Sequence, residues 1–421
     1  MQLRANPFRP DKPIDNFEQF AGRAHELTVL IRSMFNTGHG NARHMIVTGP
    51  RGIGKSSFIN QIHSVTDNGE DVLAKLGIDA GDFRFQFPVF KCRARKAFST
   101  EQVVSSLLEA MPTKISAENI RGIVGDFVSR WKPTVAVPGL VTLEHQSDVA
   151  TDIGREFVRT VSNLWSAIKD ECDGIIFIID EIDTVAESSG IASFLKVTTE
   201  ELVDAGLDQV VFYLVGVDGA MEHLMEDHPS VARVFENVEL RPMNRSESRE
   251  VIHRTLNSAP TSRPVRISDE SLEWVVDTAS GFPSFIHTLC FEAFEYDSDS
   301  YLDKDDFDKA ADEVVSRIKR AELGQLLRAA GAGDYRRILI AMAEYESTLV
   351  PLAVIGSQVG RPTNELSSYM NSLVKRGIIE REDRAIYRFV DPLLRLYVQK
   401  LDVLEPTLSS LFDNEEPSAQ S

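Results

Sequence analysis

Apolar positions along the chain alternate between two periods. Residues 22–36 set Leu27, Leu30, Ile31 and Met34 at helical spacing. HMIVT at 44–48 is a short apolar strand running into Gly49, and SFINQIHSV at 57–65 returns to the helical period. A second strand is predicted over 83–94, FRFQFPVFKCRA, with a helix near 99–110. GIIFIID at 174–180 carries no polar group before its final aspartate, as expected of a parallel strand covered on both faces. QVVFYLVGV at 209–217 reads as another buried strand, and helices are predicted over 152–170 and 191–205. Strands alternating with helices argue for an α/β parallel sheet with helices on both faces.

After Pro242 the pattern changes. Residues 245–320 read as helices, interrupted by Gly281, Phe282 and Pro283, and predict an all-α segment. A third unit follows. A helix spans 334–344 and a second spans 351–359, and the chain turns at Gly360, Arg361 and Pro362. A third helix over 363–376 sets Leu366, Tyr369, Met370, Leu373 and Val374 on its apolar side, and Gly377 ends it. Residues 378–380 and 385–389 read as a hairpin, which completes a winged-helix pattern. The predicted division is a core at 1–241, a helical segment at 242–325, a winged helix at 326–400 and a flexible acidic tail at 401–421. Residues 113–150, with a helix at 117–131 and short strands around Pro133 and Pro138, read as an insertion in the core. The acidic stretch 297–308 lacks the central glycine and final glutamate of a calcium loop and reads as a solvated loop and helix start.

Composition narrows the classes. A chain of 421 residues exceeds one ordinary core. The formal net charge of −19 argues against broad, non-specific nucleic-acid binding but leaves room for a local basic site. Residues 333–395 hold nine Lys/Arg against eight Asp/Glu, about +1. Cys92, Cys172 and Cys290 lie far apart, with no CxxC motif, and read as reduced core thiols of a cytoplasmic protein. The opening MQLRANPFRPDKP has no apolar core and does not read as a secretory signal. The longest apolar runs fall far short of the roughly 20 residues a spanning helix needs, so no membrane partner is expected.

Gly49, Pro50, Arg51, Gly52, Ile53, Gly54, Lys55 and Ser56 match the phosphate-loop pattern GxxxxGK[ST] in full, between a strand and a helix. Glycines let the backbone wrap phosphate oxygens, and amide hydrogens with the helix N-terminus supply positive potential. Lys55 is expected on the β- and γ-phosphates, with the Ser56 hydroxyl on Mg²⁺; Ser57 opens the following helix beside them. The strand at 175–179 runs into Asp180 and Glu181. Asp180 is expected to hold Mg²⁺, and Glu181 to polarise the attacking water as general base. Asp183 is open between supporting that pair and capping the next helix.

These pieces together resemble the AAA+ ATPases, in the branch of replication initiators and STAND-like prokaryotic ATPases. The likeness covers roughly residues 6–400 and begins at FAGRAHEL, 20–27, which looks like the F-x-G-R-x-x-E-L box. The resemblance implies that Phe20, Gly22 and Arg23 pack beside adenine. It places a sensor at the end of strand 210–217, where Asp218 is open between that role and a helix N-cap. HPSVARVFENVEL, 228–240, is similar to the arginine-finger segment, which would send Arg233 to the ATP of a neighbouring subunit; a local surface ion pair is the other reading. The lid turn carries Ser284 where an arginine often follows the proline, and His287 is open between phosphate contact and an ordinary helix position.

The expectation is therefore an ATPase, converting ATP and water to ADP and phosphate, that self-associates with nucleotide and acts on DNA or a DNA-bound complex. In a DNA-binding winged helix, Thr363, Asn364, Ser367, Ser368 and Asn371 would face the major groove, and Arg381, Arg384 and Arg388 would reach phosphates. The alternative is a STAND-like nucleotide switch that recognises an unidentified protein partner without touching DNA.

Overall fold

The computed structural model describes residues 4–96, 98–110, 143–185, 189–259 and 264–400. The helix expected at 117–131, the strands around Pro133 and Pro138 and the tail at 401–421 lie outside the described residues. Packing divides the chain into two units, Pro13–Arg241 and Met1–Lys12 with Pro242–Ser421.

The first unit is built on a parallel sheet in the order β2-β3-β4-β1-β5. The strands are β1 (His44–Thr48), β2 (Val89–Arg93), β3 (Ile175–Asp180), β4 (Val210–Val215) and β5 (Phe235–Glu239). Its helices are α1 (Ala24–Gly38), α2 (Lys55–Leu76), α3 (Thr100–Glu109), α4 (Leu143–Ile168), α5 (Ile191–Asp204), α6 (Ala220–Asp227) and the single turn α7 (Val231–Val234). All residues of β1, β3 and β4 are buried, as their unbroken apolar runs require. Phe90, Phe157, Phe177, Phe194 and Phe212 fill the core over β2, β3 and β4, with Phe177 stacked on Phe212 at 5.4 Å.

Three elements differ from the sequence expectation. Helix α4 starts at Leu143, ahead of the predicted 152–170 and inside the segment 113–150 read as an insertion. Helix α2 continues well beyond residue 65, across a non-helical Asn68. Strand β2 is shorter than the predicted 83–94. Pro88 has no N–H to give a ladder, and Phe85 adopts a left-handed φ of 55°. The backbone of that segment is satisfied elsewhere: Gln86 N–H donates to Asp173 Oδ2 at 2.7 Å, and Asp173 N–H donates to the Gln86 carbonyl at 2.8 Å.

In the second unit, the segment after Pro242 forms α8 (Arg245–Asn257), α9 (Asp269–Ala279), α10 (Pro283–Tyr296) and α11 (Lys304–Glu313). Asn244 and Glu247 form a capping box on α8, and Pro283 opens α10. The segment is not all-α. A two-residue parallel pair, β6 (Arg266–Ile267) and β7 (Tyr301–Leu302), joins its loops. Strands this short carry no legible alternation. Residues 4–9 pack here and not with the core to which the sequence reading assigned them. Arg4 ion-pairs with buried Asp297 at 2.6 Å, and Asn6 Nδ2 donates to the Phe291 carbonyl at 3.0 Å. Asp297 also accepts amides of Asp299 and Ser300, so the start of the acidic stretch is a pinned turn and not a solvated loop.

Beyond it lie α12 (Arg320–Ala330), α13 (Asp334–Glu344), β8 (Val350–Pro351), α14 (Leu352–Val359), α15 (Thr363–Lys375), β9 (Ile379–Asp383), β10 (Ile386–Phe389) and α16 (Pro392–Gln399). The three strands make a sheet in the order β8-β10-β9, the winged-helix arrangement. Leu289, Ala311 and Val314 from the preceding helices share one core with Ile338, Leu366, Leu373 and Tyr397.

Among the described residues, each unit buries one histidine as a neutral acceptor. His44 Nδ1 accepts the Phe212 amide at 3.0 Å, and His287 Nδ1 accepts the Arg9 amide at 3.3 Å with its ring against Phe8. His287 is therefore a packed helix residue. Burial pushes both rings down to about 4, with Arg9 adding to the shift at His287. A histidine in the unfolded chain titrates near 6.5. The unfolded state then binds more protons across that window, so stability is full above pH about 6.5 and falls as pH drops toward about 4. Roughly 2 kcal/mol per ring should be lost by about pH 5. Urea midpoints at about pH 7 and about pH 5 test this: His44→Asn, whose amide oxygen can take the Phe212 N–H, should flatten the acid loss of its unit.

Candidate nucleotide site

Strand β1 ends at Thr48, and the chain turns immediately. Gly49, Gly52 and Gly54 sit at φ of 150°, 80° and 98°. At Gly49 a Cβ would stand 2.6 Å from the Leu240 carbonyl, because Leu240 N–H donates to Thr48 O and holds the end of β5 against the loop. Helix α2 starts at Lys55, so its first amides point into the loop. Lys55 Nζ folds back and donates to the carbonyls of Gly49 at 2.7 Å and Pro50 at 2.9 Å. Burial lowers the Lys55 pKa; Asp218, Asp183 and Asp180 act against it, and Arg51 adds to the lowering.

The loop is backed by the segment before α1. Arg23 is buried at a left-handed φ of 62°, with Nη2 donating to the Ile53 carbonyl at 3.3 Å and Nη1 3.6 Å from Glu26. Phe20 is buried, and Gly22 takes a φ of 66°. The Ser57 hydroxyl accepts the Ile14 amide at 3.0 Å, so that side chain is engaged by the backbone ahead of the loop.

The parallel register brings β3 to the same rim. Ser56 Oγ donates to Asp180 Oδ2 at 3.3 Å. Two hard oxygen donors at this separation, beside a cradle of amides, fit a magnesium ion shared with phosphate. Glu181 follows at a left-handed φ of 59°, a strained position for a side chain. Arg93, at the end of β2, bonds its carboxylate. That bond holds the Glu181 carboxyl below the usual range, with Arg51 and Lys55 adding, against partial burial. While the pair is made, the carboxylate is committed to Arg93.

Asp183 neither caps a helix nor touches Asp180: its Oδ1 accepts the Val217 amide at 3.0 Å. Gly216 N–H donates to Val47 O at 3.0 Å, which carries Val217 and Asp218 out beside the loop. The cap position of α6 is Gly219, so Asp218 is not that N-cap; its charge is the first of the acids acting on Lys55. Arg233 lies on α7, exposed and without an ion-pair partner among the described residues. Phe235 pairs with His44, at the opposite end of β1 from the loop. Four residue steps along β1 separate those ends, about 13 Å, so Arg233 cannot reach the loop of its own chain.

In the winged helix, Thr363, Asn364, Ser367, Ser368 and Asn371 are all exposed on α15. The wing is less basic than the sequence suggested. Arg388 pairs with Glu380 and Glu382, and Arg361 with Asp334 and Glu365. Arg381 and Arg384 remain exposed at the tip, beside Glu382 and Asp383.

Comparison with known proteins agrees with this architecture. The chain matches the ORC2 protein of Aeropyrum pernix, solved in ADPNP and ADP complexes, with a TM-score of 0.53 and 14% identity over 97% of this chain and 99% of that one. The likeness shows that this chain shares the fold of that protein. An uncharacterized HTH-type transcriptional regulator of Methanocaldococcus jannaschii is 23% identical over 94% of this chain and 92% of its own length. A family model described as a domain of unknown function, DUF8462, matches residues 329–398, most of the winged helix.

Within the first unit, sequence reasoning missed Lys91 and Arg93. They sit two apart on β2, on the face that meets Asp180 and Glu181. Charged residues alternating with Phe90 and Cys92 in an otherwise buried strand were the available signal.

Gly49→Ala combines the Leu240 clash with an unfavourable φ and should cost about 2 kcal/mol or more. Gly206→Ala, at a φ of 67° with open space around it, should cost about 1 kcal/mol. Equal denaturation midpoints for the two variants would show that the loop does not pack on Leu240.

Proposed function

We propose that this chain binds Mg-ATP on the loop 49–56 and hydrolyses it to ADP and phosphate. The observation that carries the reading is the Ser56 hydroxyl on the Asp180 carboxylate at the mouth of a glycine cradle. Amides of the loop and of the first turn of α2 hold the phosphate oxygens, and Lys55 turns from the loop carbonyls to the terminal phosphates. Ser56 and Asp180 hold magnesium, which when bound neutralises charge developing on the phosphates. Glu181, released from Arg93, orients and deprotonates the attacking water. Phe20, Gly22 and Arg23 back the nucleotide, with Arg23 fixing the loop through Ile53.

Arg233 supports a shared site. It is exposed, without an ion-pair partner among the described residues and out of reach of its own loop, so its target is the nucleotide of a second copy, and the active form is a homo-oligomer. A cytoplasmic setting accords with three free cysteines. Among the described residues no helix is long and apolar enough to cross a membrane.

The winged helix points the activity at DNA or a DNA-bound complex, in a replication, transposition or defence setting. The exposed polar face of α15 and the name of the Methanocaldococcus relative support this. The second reading, a nucleotide switch docking on a protein, is favoured by one observation: the wing segment holds Glu380, Glu382 and Asp383 against Arg381, Arg384 and Arg388 and is neutral.

Glu181→Gln should keep ATP bound and lower turnover by at least about 100-fold, whereas Lys55→Ala should weaken binding itself. Arg233→Ala mixed with Lys55→Ala should recover part of the turnover that each lacks. Normal turnover by Glu181→Gln would remove it as the base.

Filter binding to duplex DNA at two salt concentrations separates the two partner readings. Arg381→Ala with Arg384→Ala should abolish a salt-sensitive affinity, while Arg388→Ala, already neutralised by two glutamates, should change it little. Absence of DNA affinity with and without ATP favours the protein-docking switch.

A further inference from the structure

Asp180 has a second partner. The carboxylate is buried, and Lys91 Nζ stands 3.5 Å from the same Oδ2 that accepts the Ser56 hydroxyl. Register fixes this contact: Lys91 pairs with Ile178 on the adjacent strand and projects from the face that carries Arg93. Lys91 is also held from the other side. Its Nζ donates to Asn60 Oδ1 at 2.7 Å, and Asn60 Nδ2 donates to Asp15 Oδ1 at 2.6 Å. Asn60 lies one helical turn after Ser56 on α2, so both line the same helix face. The ammonium is thus anchored at one site, with Asn60 and Asp15 behind it and the Asp180 carboxylate in front.

We infer that Lys91 is a positioning residue that acts as a built-in counter-charge for Asp180 and competes with magnesium for that carboxylate. The inference rests on the nucleotide reading of this site. A buried carboxylate without a cation is costly, and the ammonium satisfies it when no metal is bound. The same ammonium, 3.5 Å from the Asp180 oxygen, would oppose the arrival of a divalent cation at that carboxylate. Lys91 therefore sets the magnesium concentration at which nucleotide is gripped, and it keeps the rim folded between nucleotides. Arg93 does the parallel task for Glu181, so β2 supplies one cation to each of the two adjacent acids.

The test uses the full chain with ADP as probe. Magnesium is titrated while ADP affinity is followed by calorimetry, and thermal midpoints are recorded in EDTA and in excess Mg-ADP. Lys91→Met should lower the half-saturating magnesium concentration about fivefold, the factor of a partly buried ion pair. Its thermal midpoint should fall in EDTA and return to the wild-type value in Mg-ADP. Lys91→Arg should restore the wild-type dependence. If Lys91→Met does not fold, Lys91→Gln retains a donor to Asn60, removes only the charge and should give the same shift. An unchanged magnesium dependence, or a midpoint lowered equally in both media, overturns the counter-charge role and leaves the nucleotide reading standing. A wild-type chain with no ADP affinity at any magnesium concentration overturns both.

Discussion

A parallel strand cannot satisfy its own backbone. Each strand of the sheet must find neighbours running the same way, and each crossover must return the chain to the same starting edge. That constraint determines where the chemistry lies. Thr48, Arg93, Asp180, Val215 and Glu239 end their strands on one rim, so Gly49, Glu181, Asp218 and Leu240 all emerge there. The polar residues of the site need no separate placement. They lie at or just past the ends of strands that the parallel sheet holds in register.

The rim then has an electrostatic problem. Asp180, Glu181, Asp183 and Asp218 gather around the loop 49–56, and carboxylates this close destabilise one another. Each has its own answer. Lys91 and Ser56 face Asp180, Arg93 bonds Glu181, the Val217 amide donates to Asp183, and Asp218 acts on Lys55. Two of these answers, Lys91 and Arg93, come from β2, an edge strand. The sheet order places β2 beside β3, so edge position and chemical role coincide.

How much was legible follows from whether the relevant interaction is local. The loop 49–56 and the acids at the tip of β3 are written in consecutive residues, and the apolar runs of β1, β3 and β4 are read directly as buried strands. The winged-helix pattern was legible for the same reason, from helix spacing, Gly377 and the hairpin. The unread features depend on partners distant in sequence. Arg93 and Glu181 are 88 residues apart, Arg4 and Asp297 are 293 apart, and neither segment signals the other. Strand β2 was predicted too long because the aromatic residues before Pro88 alternate like a strand while their backbone bonds the Asp173 turn. The pairing of Arg388 escaped because a residue count cannot show which charges are already satisfied within the wing.

The second unit sharpens the question of what the winged helix can be. Its helices α13–α16 do not own a separate core. Leu289 on α10, Ala311 on α11 and Val314 beyond it pack in the same cluster as Leu366 and Leu373 on α15, and Lys400 pairs with Asp312. The exposed face of α15 therefore owes its position to helices that the sequence pattern assigns to the lid. A cavity at Leu289 would cost the unit several kcal/mol and would not stay confined to α10, because close-packed side chains transmit strain to their neighbours. The surface proposed to meet DNA or a protein is thus mechanically continuous with the helices ahead of it. With a wing of zero net charge, specificity there must come from the shape and hydrogen bonding of that rigidly held face and not from a general attraction to phosphate.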